Sequence, residues 1–269
     1  MTSTVRSPAG IAYDRAGPRE DLPVVLIHAG IADRRMWDPQ WSALTAERDA
    51  VRLDLRGFGG STERPPGALS PVDDVIDTLA ALGISRGHLV GASFGAGVAV
   101  EVALTYPEQV GSLLLSAPGG SLIAEVTPDL QASFDAERSA LARDDLDGAV
   151  DANLAWWVDG PHRDVGDVDP AVRDLVGQMQ RRAFELTADW GAVEETELDP
   201  PALERLGEIQ APTLILVGAL DLDAIQDTAR RVTDGIPNAR RVDWPDTAHL
   251  PSMEHPDDFF ALLRSWLAP

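Results

Sequence analysis

Residues 88–97 read His88-Leu89-Val90-Gly91-Ala92-Ser93-Phe94-Gly95-Ala96-Gly97. The β-rich start leads into Gly91-x-Ser93-x-Gly95, and a small-residue helical pattern follows through Val98, Val100, Val102 and Leu104. A strand that turns sharply into a helix leaves its turn residue strained. Glycines two before and two after are then required, because a Cβ at either would collide with neighbouring elements. Such a turn holds the Ser93 hydroxyl at the C-terminal edge of a sheet, beside a helix N-terminus that favours developing negative charge. In a chain with 23 glycines the motif alone is a weak signal, since a glycine-rich packing turn looks the same. The strand before it and the helix after it give it weight.

On either side of this turn strands and helices alternate. Thr4 to Asp14 is spaced for a β-hairpin turning at Pro8-Ala9-Gly10. Val24-Val25-Leu26-Ile27 is a continuous apolar run, expected of a strand buried on both faces. It ends in the loop from His28 to Asp33, followed by a helix around Met36 to Glu47. A strand at Ala50 to Leu55 comes next. Pro71, with Asp73 and Asp74 in the first turn, opens a helix that Gly83 stops. Beyond the Ser93 turn, Val110 to Ser116 is another strand. This order predicts an α/β fold with a mostly parallel, doubly wound sheet.

The rhythm breaks after Gly120. Only helical patterns follow, at Pro128 to Arg143, Asp145 to Val158 and Pro170 to Leu186. Alternation resumes with a strand at Thr213 to Val217, a helix from Ala224 to Gly235, a strand at Arg240 to Trp244 and a closing helix from Pro256. The expected division is a core domain at 1–120 and 207–269, with an all-helical lid at 121–206 inserted after the sixth strand.

The chain has 269 residues, 44% hydrophobic and 25% charged, as in an ordinary globular protein. Its net charge of −22 disfavours nucleic acid and anionic membrane surfaces as partners. Cysteine is absent, so disulfides and thiolate metal sites are excluded. No apolar run approaches the ~20 residues of a membrane span, and Met1 to Gly10 lacks the layout of a signal peptide. A cytoplasmic monomer or homodimer is the expectation.

Nucleophilic serine chemistry needs a base for the hydroxyl proton and a carboxylate to orient that base. Asp221 falls just past the strand at Thr213 to Val217, and His249 lies in the loop after Arg240 to Trp244. The order Ser93, Asp221, His249 places three residue types at equivalent strand ends. The rivals fit less well: His255 precedes a helix-starting Pro256, His162 lies in a lid loop, and Asp223 reads as a helix cap. The oxyanion of acyl transfer needs two N–H donors, expected from Phe94 and from Gly30, with Ile31 next. Trp156 and Trp157 are adjacent on a helix and point ~100° apart, so one is expected to pack the lid and the other to face Ser93. Ile31, Trp156, Trp157 and Leu250 are the candidate substrate contacts. Met36, Trp37 and Trp41 read as helix packing.

His28-Ala29-Gly30, Asp54-Leu55-Arg56-Gly57-Phe58-Gly59-x-Ser61, Gly91-x-Ser93-x-Gly95, Asp221 and His249 with Glu254-x-Pro256 together resemble the α/β-hydrolase fold superfamily over nearly the whole chain. The stretch Gly30-Ile31-Ala32-Asp33-x-x-Met36-Trp37-Asp38-x-Gln40 is similar to the corresponding loop of 3-oxoadipate enol-lactone hydrolases and related small esterases. The superfamily commonly has Gly where this chain has Ala29, and His where it has Ala92. Neither change removes a catalytic group, though Ala92 leaves the pocket floor less polar. The resemblance implies that Asp54 and Arg56 shape a loop beside the pocket. It also implies a serine hydrolase without metal or organic cofactor, cleaving a small apolar or aromatic ester or lactone. The alternatives are a carbon–carbon bond or thioester hydrolase of the same fold, or a biosynthetic or ligand-binding relative with little turnover.

Overall fold

Val24–Ile27 forms β2, buried on both faces as a central parallel strand must be. The computed structural model describes residues 5–268. β2 lies between β3 (Ala50–Leu53) and β4 (Gly87–Ala92), parallel to both. Beyond β4 the sheet continues in parallel through β5 (Val110–Ser116), β6 (Thr213–Gly218) and β7 (Arg240–Trp244). At the other edge β1 (Tyr13–Ala16) runs antiparallel to β3. The seven-stranded order is β1-β3-β2-β4-β5-β6-β7.

Period-two alternation divides the apolar strands between two layers. Val25, Ile27, Leu89, Leu113, Leu115, Ile215 and Val217 pack against α2 (Pro71–Ala81), α3 (Phe94–Thr105) and α7 (Asp223–Gly235). Val24, Leu26, Val90, Leu114, Leu214 and Leu216 face the other way. There they pack with Trp37 and Leu44 of the segment ending in α1 (Asp38–Glu47), and with Phe259 and Leu263 of the C-terminal helix Pro256–Trp266. Helices on both faces explain why the central strands read as unbroken apolar runs. The α2 start is capped as its sequence predicts, Ser70 Oγ accepting from the Asp73 N–H at 3.2 Å.

The N-terminal arm forms the expected hairpin only in short form, its limbs joined by Ser7 N–H on Ile11 O at 2.8 Å and Tyr13 N–H on Val5 O at 3.1 Å. Its turn forms, with the Gly10 N–H on Ser7 O at 2.9 Å, but Arg6 and Ala12 make a single bridge and Thr4 lies outside the described residues. Val110–Ser116 is therefore the fifth strand of the sheet. The connection from β5 to β6 contains α4 (Pro128–Leu141), α5 (Leu146–Leu154) and α6 (Pro170–Thr187). Among the described residues its one strand-like pairing is the Leu69–Glu195 bridge. Val150, Leu154, Val158, Val176 and Met179 of this connection join the α1-side core next to Ile31 and Ala32, which places the helices over the loop after β2. No helix among the described residues is long and apolar enough to cross a membrane.

Candidate active site

Ser93 sits between β4 and α3 at φ 51°, ψ −114°, a backbone conformation that costs a non-glycine residue roughly 1–3 kcal/mol. The surroundings over-determine it. Its N–H donates to Ser116 O at 2.9 Å, and its carbonyl accepts from Gly119 N–H at 3.1 Å and Gly97 N–H at 3.2 Å. The flanking glycines are required by close approach. A Cβ on Gly91 would lie 2.3 Å from Gly95 O, and one on Gly95 would lie 2.5 Å from His28 O.

His249 Nε2 is 2.7 Å from Ser93 Oγ. On its other side His249 Nδ1 is 2.8 Å from Asp221 Oδ2, and the Asp221 side chain is fully buried. Asp221 Oδ1 accepts from the Leu222 N–H at 2.8 Å, so the carboxylate is held at both oxygens. Asp223, the rival acid, is exposed as the first residue of α7 and caps nothing. His162 is exposed, and His255 faces Asp246 at 3.7 Å.

The loop after β2 brings Gly30 against Phe94, where a Cβ on Gly30 would meet Phe94 Cβ at 3.4 Å. Phe94 opens α3, so its N–H has no acceptor within the helix. Among the described residues the Gly30 N–H also donates to no acceptor. A buried histidine fixes this loop. His28 Nδ1–H donates to Ala29 O at 2.8 Å and its Nε2 accepts from the Leu55 N–H at 2.9 Å, a pairing only the neutral ring can make. Burial pushes the His28 pKa down, which favours that form. Asp54 accepts from the backbone N–H groups of Arg34 at 2.8 Å and Gly60 at 2.7 Å, and its burial raises its pKa. Arg56 grips Asp74 with two nitrogens, at 2.6 and 3.1 Å, and reaches Ala9 O at 2.8 Å.

Glu254 clamps the histidine loop. Its Oε1 accepts from the Ala248 N–H at 3.0 Å and the Leu250 N–H at 3.4 Å, the two residues flanking His249. Its Oε2 meets Arg163 Nη1 at 2.5 Å, with both side chains at least nine-tenths buried. Arg163 also donates to Asp159 O at 2.7 Å and Val158 O at 2.8 Å. These carbonyls end a π-helical turn, Ala155–Asp159, that carries Trp157. The Trp157 and His249 rings lie 4.6 Å apart. The sequence motif containing Glu254 was visible, but nothing in it pointed to Arg163 as partner.

A cavity of about 310 Å³ opens on Ser93 and His249, lined also by Gly30, Ile31, Trp157, Glu137, Asn153 and Gln180. A larger one, about 520 Å³, shares Gly30 and Gln180 with it and is walled by Leu55, Phe58, Phe94, Phe184 and Trp190. A third, about 420 Å³, lies beyond Phe94 and Gly120 and is acidic, with Glu101, Glu195 and Glu197. Burial raises the pKa of Glu101 and of Glu195. Two expected substrate contacts are corrected. Trp156 packs on the α3-side core alone, whereas Trp157 touches both core layers, and Leu250, 1% exposed, belongs to the α1-side layer. Neither lines any of these cavities. The polar wall of Glu137, Asn153 and Gln180 was missed, yet a signal existed. Val176, Met179, Gln180 and Ala183 are the buried stripe of α6, and a glutamine on an apolar stripe is an anomaly.

Among known proteins, a pimeloyl-[acyl-carrier protein] methyl ester esterase of Edwardsiella ictaluri is 27% identical over 249 residues, covering 92% of this chain and 93% of its own. A hydrolase from Pseudomonas aeruginosa superposes with a TM-score of 0.78 at 27% identity, covering 99% and 98% of the two chains. The enol-lactonase of Burkholderia xenovorans shares the fold at a TM-score of 0.74 and 23% identity, with 96% of each chain covered. Residues 24–262 match the Alpha/beta hydrolase family, to which this chain belongs.

Proposed function

We propose that the protein is a serine hydrolase that cleaves a small carboxylic ester or lactone through an acyl-enzyme on Ser93. The observation that carries this reading is the hydrogen-bonded line from Ser93 Oγ through the His249 ring to Asp221, at 2.7 and 2.8 Å. His249 takes the Ser93 proton as Oγ attacks the carbonyl carbon. The tetrahedral oxyanion is held by the N–H groups of Phe94 and Gly30. His249 then gives its proton to the departing alkoxide, leaving an acyl ester on Ser93. Water attacks that ester with His249 again as base, and the acid is released as Oγ recovers its proton. Asp221 keeps Nδ1–H pointed at itself and stabilises the imidazolium. These steps use only side chains, backbone N–H groups and water. The helices of 121–206 act as the lid, with Trp157 closing the site above His249.

An activated organophosphonate tests the nucleophile directly. Stoichiometric loss of esterase activity, with the adduct mass on the peptide containing Ser93, is the expected result. An unlabelled Ser93 in a protein that still hydrolyses p-nitrophenyl acetate sinks the proposal.

The clamp on the histidine loop gives a second expectation. Glu254→Ala removes one partner of a buried ion pair, which costs about 3–5 kcal/mol. It also releases the Ala248 and Leu250 N–H groups that position the base. The expected outcome is a ~10–100-fold fall in kcat with little change in KM. Glu254→Gln keeps an acceptor for those N–H groups and recovers part of kcat. Steady-state kinetics beside urea unfolding separate the two effects. An unchanged kcat in a destabilised Glu254→Ala protein would show that the clamp holds the fold alone.

A further inference from the structure

Among the described residues, six buried side-chain polar atoms have no hydrogen-bond partner, on Trp37, Gln40, Gln180, Thr247, Ser252 and Trp266. Only Gln180 also lines cavities, and it lines both the one on Ser93 and the larger aromatic one beside it. The residue is 5% exposed. A buried amide oxygen without a donor is a costly arrangement that a bound donor would relieve.

The neighbouring polar groups have the same character. Asn153 Nδ2 is committed to Glu137 Oε2 at 2.7 Å and Ala149 O at 3.0 Å, which leaves the Asn153 side chain only its acceptor. Glu137 itself offers a carboxylate. Gln180 Oε1, Asn153 Oδ1 and Glu137 thus give the Ser93 cavity three acceptor groups on its polar side, beside the Gln180 amide nitrogen, and no arginine lines it. From this arrangement we infer that Gln180 is a specificity-determining residue selecting an acyl chain that carries a hydrogen-bond donor, an amide N–H or hydroxyl, between the scissile carbonyl and an apolar tail. The carbonyl sits at Ser93, the donor meets Gln180, which lines both cavities, and the tail extends toward Phe58, Phe184 and Trp190. A free carboxylate on the acyl chain is disfavoured beside Glu137 with no arginine in the lining.

The inference rests on Ser93 as nucleophile, and its test separates the two. The probes are the methyl esters of N-hexanoylglycine, N-pentanoyl-β-alanine and N-butanoyl-4-aminobutyric acid. They move one amide N–H stepwise along acyl chains of equal length, and each is paired with its N-methyl analogue. At one position the N–H ester is expected to exceed its N-methyl partner in kcat/KM by ~10–100-fold. In Gln180→Leu and Gln180→Met that ratio falls to within about threefold of unity. A ratio between two substrates is unaffected by loss of folded protein, so a purely structural role would leave it in place. Titration of the same esters into Ser93→Ala protein reads the discrimination as a Kd ratio without turnover. Equal values for both members of every pair overturn the inference, as does a ratio that survives in both Gln180 variants. A Kd ratio without any wild-type turnover upholds the subsite and overturns the nucleophile. Equal Kd values beside Ser93-dependent turnover do the reverse. Monomethyl suberate is expected to react at least ~10-fold more slowly than methyl octanoate, and faster reaction of the suberate also overturns the inference.

Discussion

Ser93→Ala is expected to lower kcat/KM for p-nitrophenyl esters by about 10⁴–10⁶-fold, and His249→Ala by a similar factor. The double variant loses little more, because serine and imidazole act in one proton transfer and removing either removes the step. Asp221→Asn leaves the shape intact and removes the charge that fixes Nδ1–H, so a loss of ~10⁴-fold is expected there. The residual rate over water is expected to come from the N–H groups of Gly30 and Phe94. Stability moves the other way. Ser93 is held at φ 51°, so Ser93→Gly, which adopts that backbone freely, is expected to be more stable than Ser93→Ala by about 1 kcal/mol. Additive losses in the double variant would mean that the two side chains do not work on one proton.

Gly91→Ala is expected to unfold the protein or destabilise it by about 4–5 kcal/mol or more, out of a total of ~5–15 kcal/mol. The added Cβ would stand 2.3 Å from Gly95 O, 2.6 Å from Gly95 C and 2.7 Å from Ala96 Cα. All three are backbone atoms, so no rotamer change relieves the overlap, and α3 would have to shift against β4. Gly67→Ala is the matched control, since nothing lies within 4 Å of its Cβ position. It is expected to stay within about 0.5 kcal/mol of the parent. Urea unfolding of both measures the difference, and a Gly91→Ala midpoint like that of Gly67→Ala would show that α3 is free to move.

The residues of the hydrogen-bonded line were legible because an α/β sheet puts chemistry at the C-terminal ends of its strands. Ser93, Asp221 and His249 each follow a strand whose apolar run is unmistakable, and the structure brings the three within hydrogen-bond reach. Helix starts at Pro71, Pro128 and Pro170 were equally plain. Long-range pairing was not. Whether Arg6 and Ala12 extend into a ladder depends on what lies beside them, and Arg163 finds Glu254 across 91 residues of sequence. The π-turn at Ala155–Asp159 follows a helix whose spacing reads as ordinary α-helix, so the sequence pattern does not distinguish Trp156 from Trp157. Gln180 was within reach of pattern reading, since its neighbours on α6 form a regular apolar stripe.

β5 and β6 lie side by side in the sheet, so the whole helical connection between them leaves and returns at adjacent strands. The entropy of closing such a loop grows only with the logarithm of its length, about 0.6 kcal/mol for each doubling. Lengthening, shortening or exchanging these helices therefore changes the free energy of folding far less than altering the strands would. Asp221 and His249 hang on short loops that tolerate no such freedom, whereas most of the residues lining the Ser93 cavity are carried by the long one. On the proposed function, binding preference and bond-breaking chemistry are thus placed on parts of the chain with different tolerance for change, and selection can retune the first while leaving the second in place.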